Sequence, residues 1–228
     1  MASVRRHRLY ADRAGAGAAL ASRLRAYDGR SDVVVLGLPR GGVPVAAAVA
    51  RHLGAPLDVL VVRKLGLPRH PEVAMGAVAG AAGALEVVRN PEVLQHAHVT
   101  DDEFDRVLAA EVDELRRRES IYRGSRRSVS LQGRVVLVVD DGLATGATMR
   151  VAAHVIQRRE PARIVLAAPV GPPDVCAALA GEADELVCPW QPPDFSAVGA
   201  AYRVFGQTSN DEVRRLLSAA NPTDRPEP

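Results

Sequence analysis

The sequence Val135-Val-Leu-Val-Val-Asp-Asp-Gly-Leu-Ala-Thr-Gly-Ala-Thr148 decides the fold of this chain. Its first five residues are apolar and mostly β-branched, which is typical of a buried strand. Two adjacent carboxylates, Asp140 and Asp141, follow the strand, and a loop of small residues then opens onto a helical pattern. The stretch therefore predicts a strand, a loop and a helix, with acidic side chains at the carboxyl end of the strand.

The loop and the helix start after these carboxylates have the chemistry of an anion site. Small residues allow consecutive backbone N–H groups to point inward, and the N-terminus of the next helix adds partial positive charge. Thr145 and Thr148 supply hydroxyl donors, and Gly146 allows close approach of the backbone. The carboxylates before the loop are acceptors that can hold a vicinal diol or a hydrated Mg²⁺. A ribose 5-phosphate carries both kinds of group, with the phosphate at one end and the hydroxyls at the other.

The rest of the chain alternates between short apolar runs and helical patterns. Such alternation predicts an α/β fold with a mostly parallel central sheet, helices on both faces and ligands at the carboxyl ends of the strands. The strands predicted besides 135–139 are 33–36, 57–62, 85–88, 164–168 and 185–188. The predicted helices are 9–27, 43–53, 100–123, 148–159, 173–180 and one that begins near 209. A stretch of small residues at 74–83 has no predicted element.

The length of the chain allows one large domain. It has 228 residues, of which 47% are hydrophobic. We expect a single domain over 1–220, with an N-terminal helix inside 1–30 and a hood and C-terminal helix over 190–220. The remaining residues, 221–228, are polar and contain proline, and we predict a disordered tail there.

The full run from 135 to 148 resembles the phosphoribosyl-pyrophosphate (PRPP) motif of type I phosphoribosyltransferases, which consists of a hydrophobic strand, two acids, a short spacer and Thr-Gly-x-Thr. The resemblance implies the fold of that family, with a small hood or lobe outside the sheet. It also implies that Asp140 and Asp141 hold the ribose diol and its hydrated Mg²⁺. The loop that would bind the rest of the ribose 5-phosphate consists of Ala144, Thr145, Gly146, Ala147 and Thr148.

A second segment, Leu38-Pro-Arg-Gly-Gly42, follows the first predicted strand, where an α/β sheet presents a ligand loop. Gly41 and Gly42 expose backbone N–H groups, and Arg40 offers a guanidinium fork that fits phosphate oxygens. In the family that the chain resembles, a segment at this position binds pyrophosphate. The resemblance therefore implies that Arg40, Gly41 and Gly42 bind the pyrophosphate of PRPP.

A third segment begins at Arg63 and Lys64, directly after the second predicted strand. Residues 63–71 are rich in Gly, Pro and cations, which predicts a mobile loop. Lys64 is the only lysine among the 29 basic residues, and it lies where the family places a catalytic cation on a flexible loop. The resemblance implies that Arg63 and Lys64 bind PRPP. It also implies a catalytic set of Lys64, Arg40, Asp140 and Asp141.

The function that the resemblance implies is Mg²⁺-dependent transfer of a phosphoribosyl group from PRPP to a nitrogenous base or another small nitrogen acceptor, with release of pyrophosphate. The acceptor stays open. Hypoxanthine-guanine enzymes have Asp before Thr-Gly, whereas this chain has Ala144, which counts against a 6-oxopurine. The alternative from another class is a PRPP-binding regulator without catalysis, an RNA-binding one included. A hydrolase, or an enzyme that runs the transfer in reverse, is a third candidate.

Composition limits which binding partners and which cellular compartment we expect for this chain. Basic residues number 29 and acidic residues 27, so the bulk charge gives no reason to expect a nucleic-acid partner. No run reaches the roughly 18 apolar residues of a membrane span, and the N-terminus lacks the apolar core of a signal peptide. Cys176 and Cys188 do not have metal-ligand spacing, which favours a reduced, cytoplasmic protein. A homodimer is an open alternative to a monomer.

Four aromatic residues follow the last predicted strand: Trp190, Phe195, Tyr202 and Phe205. They allow two interpretations, an aromatic hood that stacks on a flat base or the small hydrophobic core of a C-terminal lobe. A separate pair, His96 and His98, has no acidic or thiol partner at ligand spacing. We interpret that pair as part of a surface loop.

Overall fold

The computed structural model describes residues 9–81 and 83–220. The predicted tail at 221–228 and the first eight residues of the predicted N-terminal region lie outside the described residues. The helices are α1 (Arg13–Ala21), α2 (Gly42–Leu53), α3 (Pro91–His96), α4 (Asp101–Arg123), α5 (Ala147–Gln157), α6 (Pro173–Leu179) and α7 (Asn210–Ala220). The strands are β1 (Val33–Gly37), β2 (Leu57–Val59), β3 (Val61–Gly66), β4 (Ala74–Ala81), β5 (Ala84–Arg89), β6 (Val135–Val139), β7 (Arg163–Ala167) and β8 (Glu185–Val187).

Five of these strands form a parallel sheet in the order β2-β1-β6-β7-β8. Its register aligns the last residues of the strands, because Gly37 pairs with Val59 and Val139, and Ala167 pairs with Val139 and Val187. Every strand therefore ends at the same edge, and the loop after each strand begins there. The predicted α/β fold, with a parallel central sheet flanked by helices, is confirmed.

The parallel sheet is buried on both faces, as its continuous apolar strands require. Successive side chains of a strand point to opposite faces. In β6, Val135 and Leu137 belong to a core cluster with residues of α2, α4 and α7. Val136 and Val138 belong to a second cluster with residues of α5 and α6. Burial on both sides fixes the sheet, and with it the position of its carboxyl edge.

A second, antiparallel sheet of three strands follows in the order β3-β4-β5. The prediction of one strand over 57–62 is wrong, because β2 ends at Val59 and β3 starts at Val61 in the other sheet. The sequence shows no break between the two strands, because Leu60, which separates them, is apolar and fully buried. The prediction of a mobile loop at 63–71 is wrong in its first part, because residues 63–66 belong to β3.

Strand β4 fills the stretch of small residues for which the sequence predicted no element. It consists of Ala, Gly, Met and Val, and both Ala and Gly have low strand propensity. The small residues allow close packing, since a Cβ on Gly80 would overlap the carboxylate of Glu119 in α4. Contacts with the rest of the fold therefore determine that this segment forms a strand, and the local strand propensity of its residues does not.

The first helix is shorter than the predicted helix over 9–27. Asp12 caps α1, because its Oδ1 accepts a hydrogen bond from the N–H of Gly15 at 2.8 Å, and α1 ends at Ala21. The chain then makes a short 3-10 turn at Arg25–Tyr27. The predicted helix was too long because the alanines of this region fit a helix on both sides of the true boundaries.

The longest helix, α4, confirms its predicted start. Thr100 and Glu103 form a capping box, in which each side chain binds the backbone N–H of the other residue. Phe104 and Leu115 are buried against the core, and the remaining surface of this 23-residue helix is largely charged. Within the described ranges no helix, α4 included, is long and apolar enough to cross a membrane.

Candidate active site

The two predicted acids and the glycine segment meet at the carboxyl edge of the parallel sheet. Asp140 and Asp141 lie directly after β6, and Gly41 and Gly42 lie at the start of α2, the helix that follows β1. A Cβ on Gly42 would lie 2.7 Å from the carbonyl oxygen of Val139, and a Cβ on Gly41 would overlap the carboxylate of Asp141. Only glycine fits at these two positions, because any side chain would displace the strand end or the acid.

The two acids differ in their electrostatics. Asp140 is half-buried, and its Oδ1 accepts a hydrogen bond from the N–H of Asp141 at 2.8 Å. Burial and the negative charge of Asp141 raise the pKa of Asp140 well above its usual value. The positive charge of Arg13 opposes this rise. The pair therefore resists carrying two negative charges, and a bound cation would stabilise the doubly charged form.

One cation of the chain already contacts the second acid. Nε of Arg13, the first residue of α1, donates to Oδ2 of Asp141 at 2.8 Å, and the two side chains are only 13% and 15% exposed. The same guanidinium donates to the carbonyl of Gly206 at 2.7 Å and lies 3.9 Å from the centre of the Phe205 ring. Sequence reasoning missed Arg13, because nothing near it in the sequence differs from an ordinary helix start.

The predicted phosphate loop, 144–148, forms the N-terminus of α5. Gly146 precedes the helix with a φ of +71°, a conformation that favours glycine. A Cβ there would also lie 2.9 Å from side-chain atoms of both Val175 and Leu179 in α6. The exposed residues of the loop are Ala144, Thr145, Ala147 and Thr148. The start of an 11-residue helix, with two exposed hydroxyls, thus lies a few residues beyond the acids.

Arg40 is positioned by the turn that leads from β1 into α2. The N–H of Gly42 donates to the carbonyl of Leu38 at 3.0 Å, which closes the turn around Arg40. The peptide bond between Pro39 and Arg40 is cis. The Arg40 side chain is half-buried and belongs to the segment that packs on the two acids.

Arg63 and Lys64 have contacts of their own, away from the two acids. Arg63 forms an ion pair with Glu111 of α4 at 2.6 Å, and Nζ of Lys64 donates to the carbonyl of Glu72 at 2.7 Å. Alternation along β3 places Lys64 on the same face as Val62, which packs against the core cluster under α5. Lys64 therefore lies on the face of β3 that is turned toward α5, the helix that begins at the predicted phosphate loop.

The C-terminal aromatic residues divide into a lobe core and one exposed ring. Tyr202 is fully buried and contacts Tyr10, and Trp190 and Phe195 pack against the same small cluster. Phe205 stacks on Tyr202 with ring centres 5.0 Å apart but is 39% exposed. The lobe-core interpretation therefore holds for three of the four rings. Phe205 is the most exposed of the four rings, but the guanidinium of Arg13 lies over it and Tyr202 stacks on it.

The two acids are also the donor set that fits Mg²⁺. Mg²⁺ is commonly bound by one or two carboxylates, with its other ligands supplied by water and substrate oxygens. Asp140 and Asp141 match that pattern, and no group of three or more metal-ligating side chains occurs in the described part of the chain.

His96 ends α3, a helix that the sequence pattern did not predict, and its Nδ1 contacts the carbonyl of Glu92 at 2.8 Å.

Comparisons with known proteins identify the family of this chain. The family model of the phosphoribosyl transferase domain matches residues 8–174. The chain is 49% identical, over 94% of its length, to a protein of Mycobacterium tuberculosis strain H37Rv that is provisionally named a phosphoribosyl transferase, and equally to a protein of the same name from strain CDC 1551. The chain spans 47% of the length of these relatives.

A solved structure extends the likeness to the fold. The crystal structure of TT1426 from Thermus thermophilus is similar, with 44% sequence identity and a TM-score of 0.81. The match covers 92% of this chain and 98% of the Thermus chain. The match to the domain model over most of the chain identifies this protein as a member of the phosphoribosyl transferase family.

Proposed function

We propose that the chain catalyses Mg²⁺-dependent transfer of a phosphoribosyl group from PRPP to a nitrogenous base or another small nitrogen acceptor, with release of pyrophosphate. The observation that carries the proposal is the meeting of three features at one sheet edge: an acid pair, a glycine segment packed on it, and a helix N-terminus with two exposed threonines. Membership of the phosphoribosyl transferase family supports the same reaction.

The loop 144–148 is the proposed 5-phosphate site. The N-terminus of α5 offers backbone N–H groups and partial positive charge, both of which favour a phosphate monoester. The hydroxyls of Thr145 and Thr148 add two donors, and Ala144, Gly146 and Ala147 bring no side chain that would block the approach. A phosphate held here leaves the ribose pointing back along the loop toward the acids.

Asp140 and Asp141 are the proposed contacts of the ribose 2- and 3-hydroxyls, and they are the residues that would hold Mg²⁺. When bound, the ion would neutralise charge on the departing pyrophosphate as a Lewis acid. The raised pKa of Asp140 supports this role, because a cation beside the pair favours the ionised form that accepts hydrogen bonds from hydroxyls.

Arg40, Gly41 and Gly42 are the proposed pyrophosphate site, and Arg63 and Lys64 its further cations. Bond breaking at the ribose C1 leaves positive charge on the sugar and negative charge on pyrophosphate, so fixed cations lower the barrier. Lys64 donates to a single carbonyl in an exposed position, which water can replace at little cost. Its amine is therefore free to turn toward pyrophosphate when the ligand is present.

A second candidate function is a PRPP-binding regulator without catalysis. The observation that favours it is that Arg63 and Lys64, the two cations that a regulator would not need, contact Glu111 and the carbonyl of Glu72 and not the acids. The two candidates share the binding site and differ only in whether pyrophosphate is released.

Calorimetric titration of PRPP with and without Mg²⁺ tests the proposed site. We expect Mg²⁺-dependent binding that the double substitution Asp140→Asn/Asp141→Asn abolishes. The matched control is Asp101→Asn/Asp102→Asn, an adjacent acid pair in the first turn of α4, which should bind PRPP as the wild type does. No binding by the wild type would contradict the proposal.

A screen of purine, pyrimidine and small amine acceptors for pyrophosphate release then separates the two candidates. Release with one acceptor supports the transferase and names its substrate. Tight PRPP binding without release for every acceptor, together with salt-sensitive binding to RNA, would favour the regulator.

A further inference from the structure

We propose that Arg13 is a positioning residue of the PRPP site, which holds Asp141 in the orientation that receives the ribose hydroxyls. The inference rests on the proposed function, because it assigns a role within the same site. It starts from one guanidinium that joins three parts of the chain: the start of α1, the second acid after β6, and the C-terminal segment 202–206. These parts are 128 and 193 residues apart in sequence, so only the fold brings them together.

Asp141 is fixed from two sides. Nε of Arg13 binds Oδ2 of the carboxylate, and the hydroxyl of Tyr202 donates to the backbone carbonyl of Asp141 at 2.5 Å. Oδ2 is also the oxygen that lies closest to Gly41. These contacts fix the backbone and Oδ2 of Asp141, and they thereby set the direction of Oδ1, the oxygen that we assign to the ligand.

The shielding of this ion pair makes it effective. Exposed ion pairs contribute little, because water and salt screen them and long side chains lose entropy in forming them. Arg13 and Asp141 are 13% and 15% exposed, whereas the ordinary surface pair of Arg30 and Asp32 is 44% and 43% exposed. A carboxylate already held in its binding orientation loses less entropy when the ligand arrives, and so binds the ligand more tightly.

Arg13 is itself held in place, which a simple counter-ion would not require. Its guanidinium lies over the face of Phe205 and donates to the carbonyl of Gly206 while it binds Asp141. A planar fork with several donors makes these contacts at once, whereas a lysine ammonium acts as a mobile point charge. The C-terminal segment therefore contributes to the PRPP site through Arg13.

The test compares two sugars that share the phosphate and differ in the diol. The probes are ribose 5-phosphate and 2,3-dideoxyribose 5-phosphate, titrated by calorimetry without metal. In the wild type we expect ribose 5-phosphate to bind at least about tenfold more tightly, because its hydroxyls donate to charged acceptors. The ratio of the two affinities measures the contact with the acids and is insensitive to the phosphate loop.

Arg13→Met removes the donors and the charge but keeps an unbranched apolar stem. We expect it to reduce the preference for the diol by about tenfold, since charge-assisted hydrogen bonds contribute on that scale, while the affinity for the dideoxy sugar changes little. Arg13→Lys restores the charge and should recover part of the preference. The matched control, Arg30→Met, removes the exposed arginine paired with Asp32 and should keep the wild-type ratio.

The outcomes separate this inference from the proposed function. If the wild type binds neither sugar, either without metal or with Mg²⁺ added, the proposed function fails, and that result involves no substitution at Arg13. If the wild type prefers the diol and Arg13→Met keeps the full preference, or lowers both affinities equally, the positioning role is overturned. Should Arg13→Met not fold, Arg13→Lys decides: an undiminished preference overturns the inference, and an intermediate preference supports it.

Discussion

The two cationic segments of the proposed site are attached to the molecule in different ways. Arg40 follows β1, in which every residue is buried, and its segment packs on the acids through Gly41 and Gly42. Lys64 lies on β3 of the antiparallel sheet, is exposed, and donates to a backbone carbonyl of its own hairpin. We infer from this comparison that the parallel sheet would provide most contacts to the ligand, whereas Lys64 of the antiparallel sheet would act mainly on the departing pyrophosphate.

The two regions are connected by a buried ionic network at the start of the antiparallel sheet. Nε of Arg123, at the end of α4, binds Asp58 of β2 at 2.8 Å, and its other nitrogens bind Glu119 and the carbonyl of Val59, each at 2.6 Å. Asp58 also accepts from the N–H of Val129 at 3.1 Å. The network fixes the point at which the chain leaves one sheet for the other.

Breaking this network is the largest effect that we predict. Arg123→Met leaves the buried carboxylate of Asp58 without its charge partner, which typically costs about 3–5 kcal/mol. We expect the free energy of unfolding, measured in guanidinium chloride, to fall by about 3 kcal/mol. The control is Arg117→Met on the same helix, which should change stability little because water and salt screen its exposed pair with Glu114. Equal effects of the two substitutions would contradict a structural role for the network.

The second prediction tests the division between binding and chemistry. Lys64→Met should leave the Kd for PRPP within about threefold, because the parallel sheet provides most contacts, and should lower pyrophosphate release by about 100-fold or more. Single-turnover kinetics with the acceptor found in the screen would measure the second effect. Arg69→Met, an exposed cation of the following loop, is the matched control and should change neither quantity. If Lys64→Met weakens PRPP binding by the same factor by which it slows pyrophosphate release, the two regions do not differ in their roles.

The same comparison explains how much the sequence could predict. The two central strands, β1 and β6, are continuous apolar runs that end in Gly37 or lead into Asp140, so both their identity and a candidate site at their ends could be predicted. The pairing of Asp140 and Asp141 with the glycine segment follows from parallel register, because aligned strands end together. These parts of the site depend on local pattern and simple topology.

The antiparallel sheet and the C-terminal lobe could not be predicted in the same way. Strand β4 is built of Ala and Gly, whose local preference opposes a strand, and it forms because β3 and β5 pair with it. The ion pair of Arg13 and Asp141 joins residues 128 positions apart, and no local pattern indicates such a contact. Both features depend on contacts between residues that are distant in the sequence, and local sequence patterns do not predict such contacts.

The third prediction tests the close packing of the glycine segment. In Gly42→Ala the new Cβ would lie 2.7 Å from the carbonyl oxygen of Val139, so either the segment or the strand must shift. We expect the free energy of unfolding to fall by about 1–3 kcal/mol, the usual cost of overpacking, and PRPP binding to weaken. Gly181→Ala, where a Cβ meets no atom within 4 Å, is the control and should be neutral or slightly stabilising. If Gly42→Ala leaves the free energy of unfolding unchanged, the glycine segment is packed less tightly on the acids than the comparison of the two cationic segments requires.

The smallest effect that we predict is a gain in stability at the acid pair. The pKa of Asp140 is raised in the folded protein, so between its unfolded and folded values the native state binds more protons. Stability contributed by the protonated form is therefore lost as pH rises through the folded pKa. Asp140→Asn removes this penalty and still offers an oxygen to the N–H of Asp141, so at pH 8 the free energy of unfolding should rise by about 0.5–2 kcal/mol. The gain should shrink as the pH falls toward the ordinary range of a carboxyl.

An acid with the opposite shift provides the control for this last prediction. The hydrogen bond from Arg30 lowers the pKa of the exposed Asp32, so Asp32→Asn should lose only a little stability relative to the wild type at neutral pH, and this difference should vanish as the pH falls through the folded pKa. Thermal unfolding of the wild type and both variants from pH 2 to 8 would show that the two differences from the wild type change with pH in opposite directions. A loss of stability in Asp140→Asn at pH 8 would mean that the acid pair stabilises the fold, and the fixed edge of the parallel sheet would then depend on the same residues that we propose to bind the ligand.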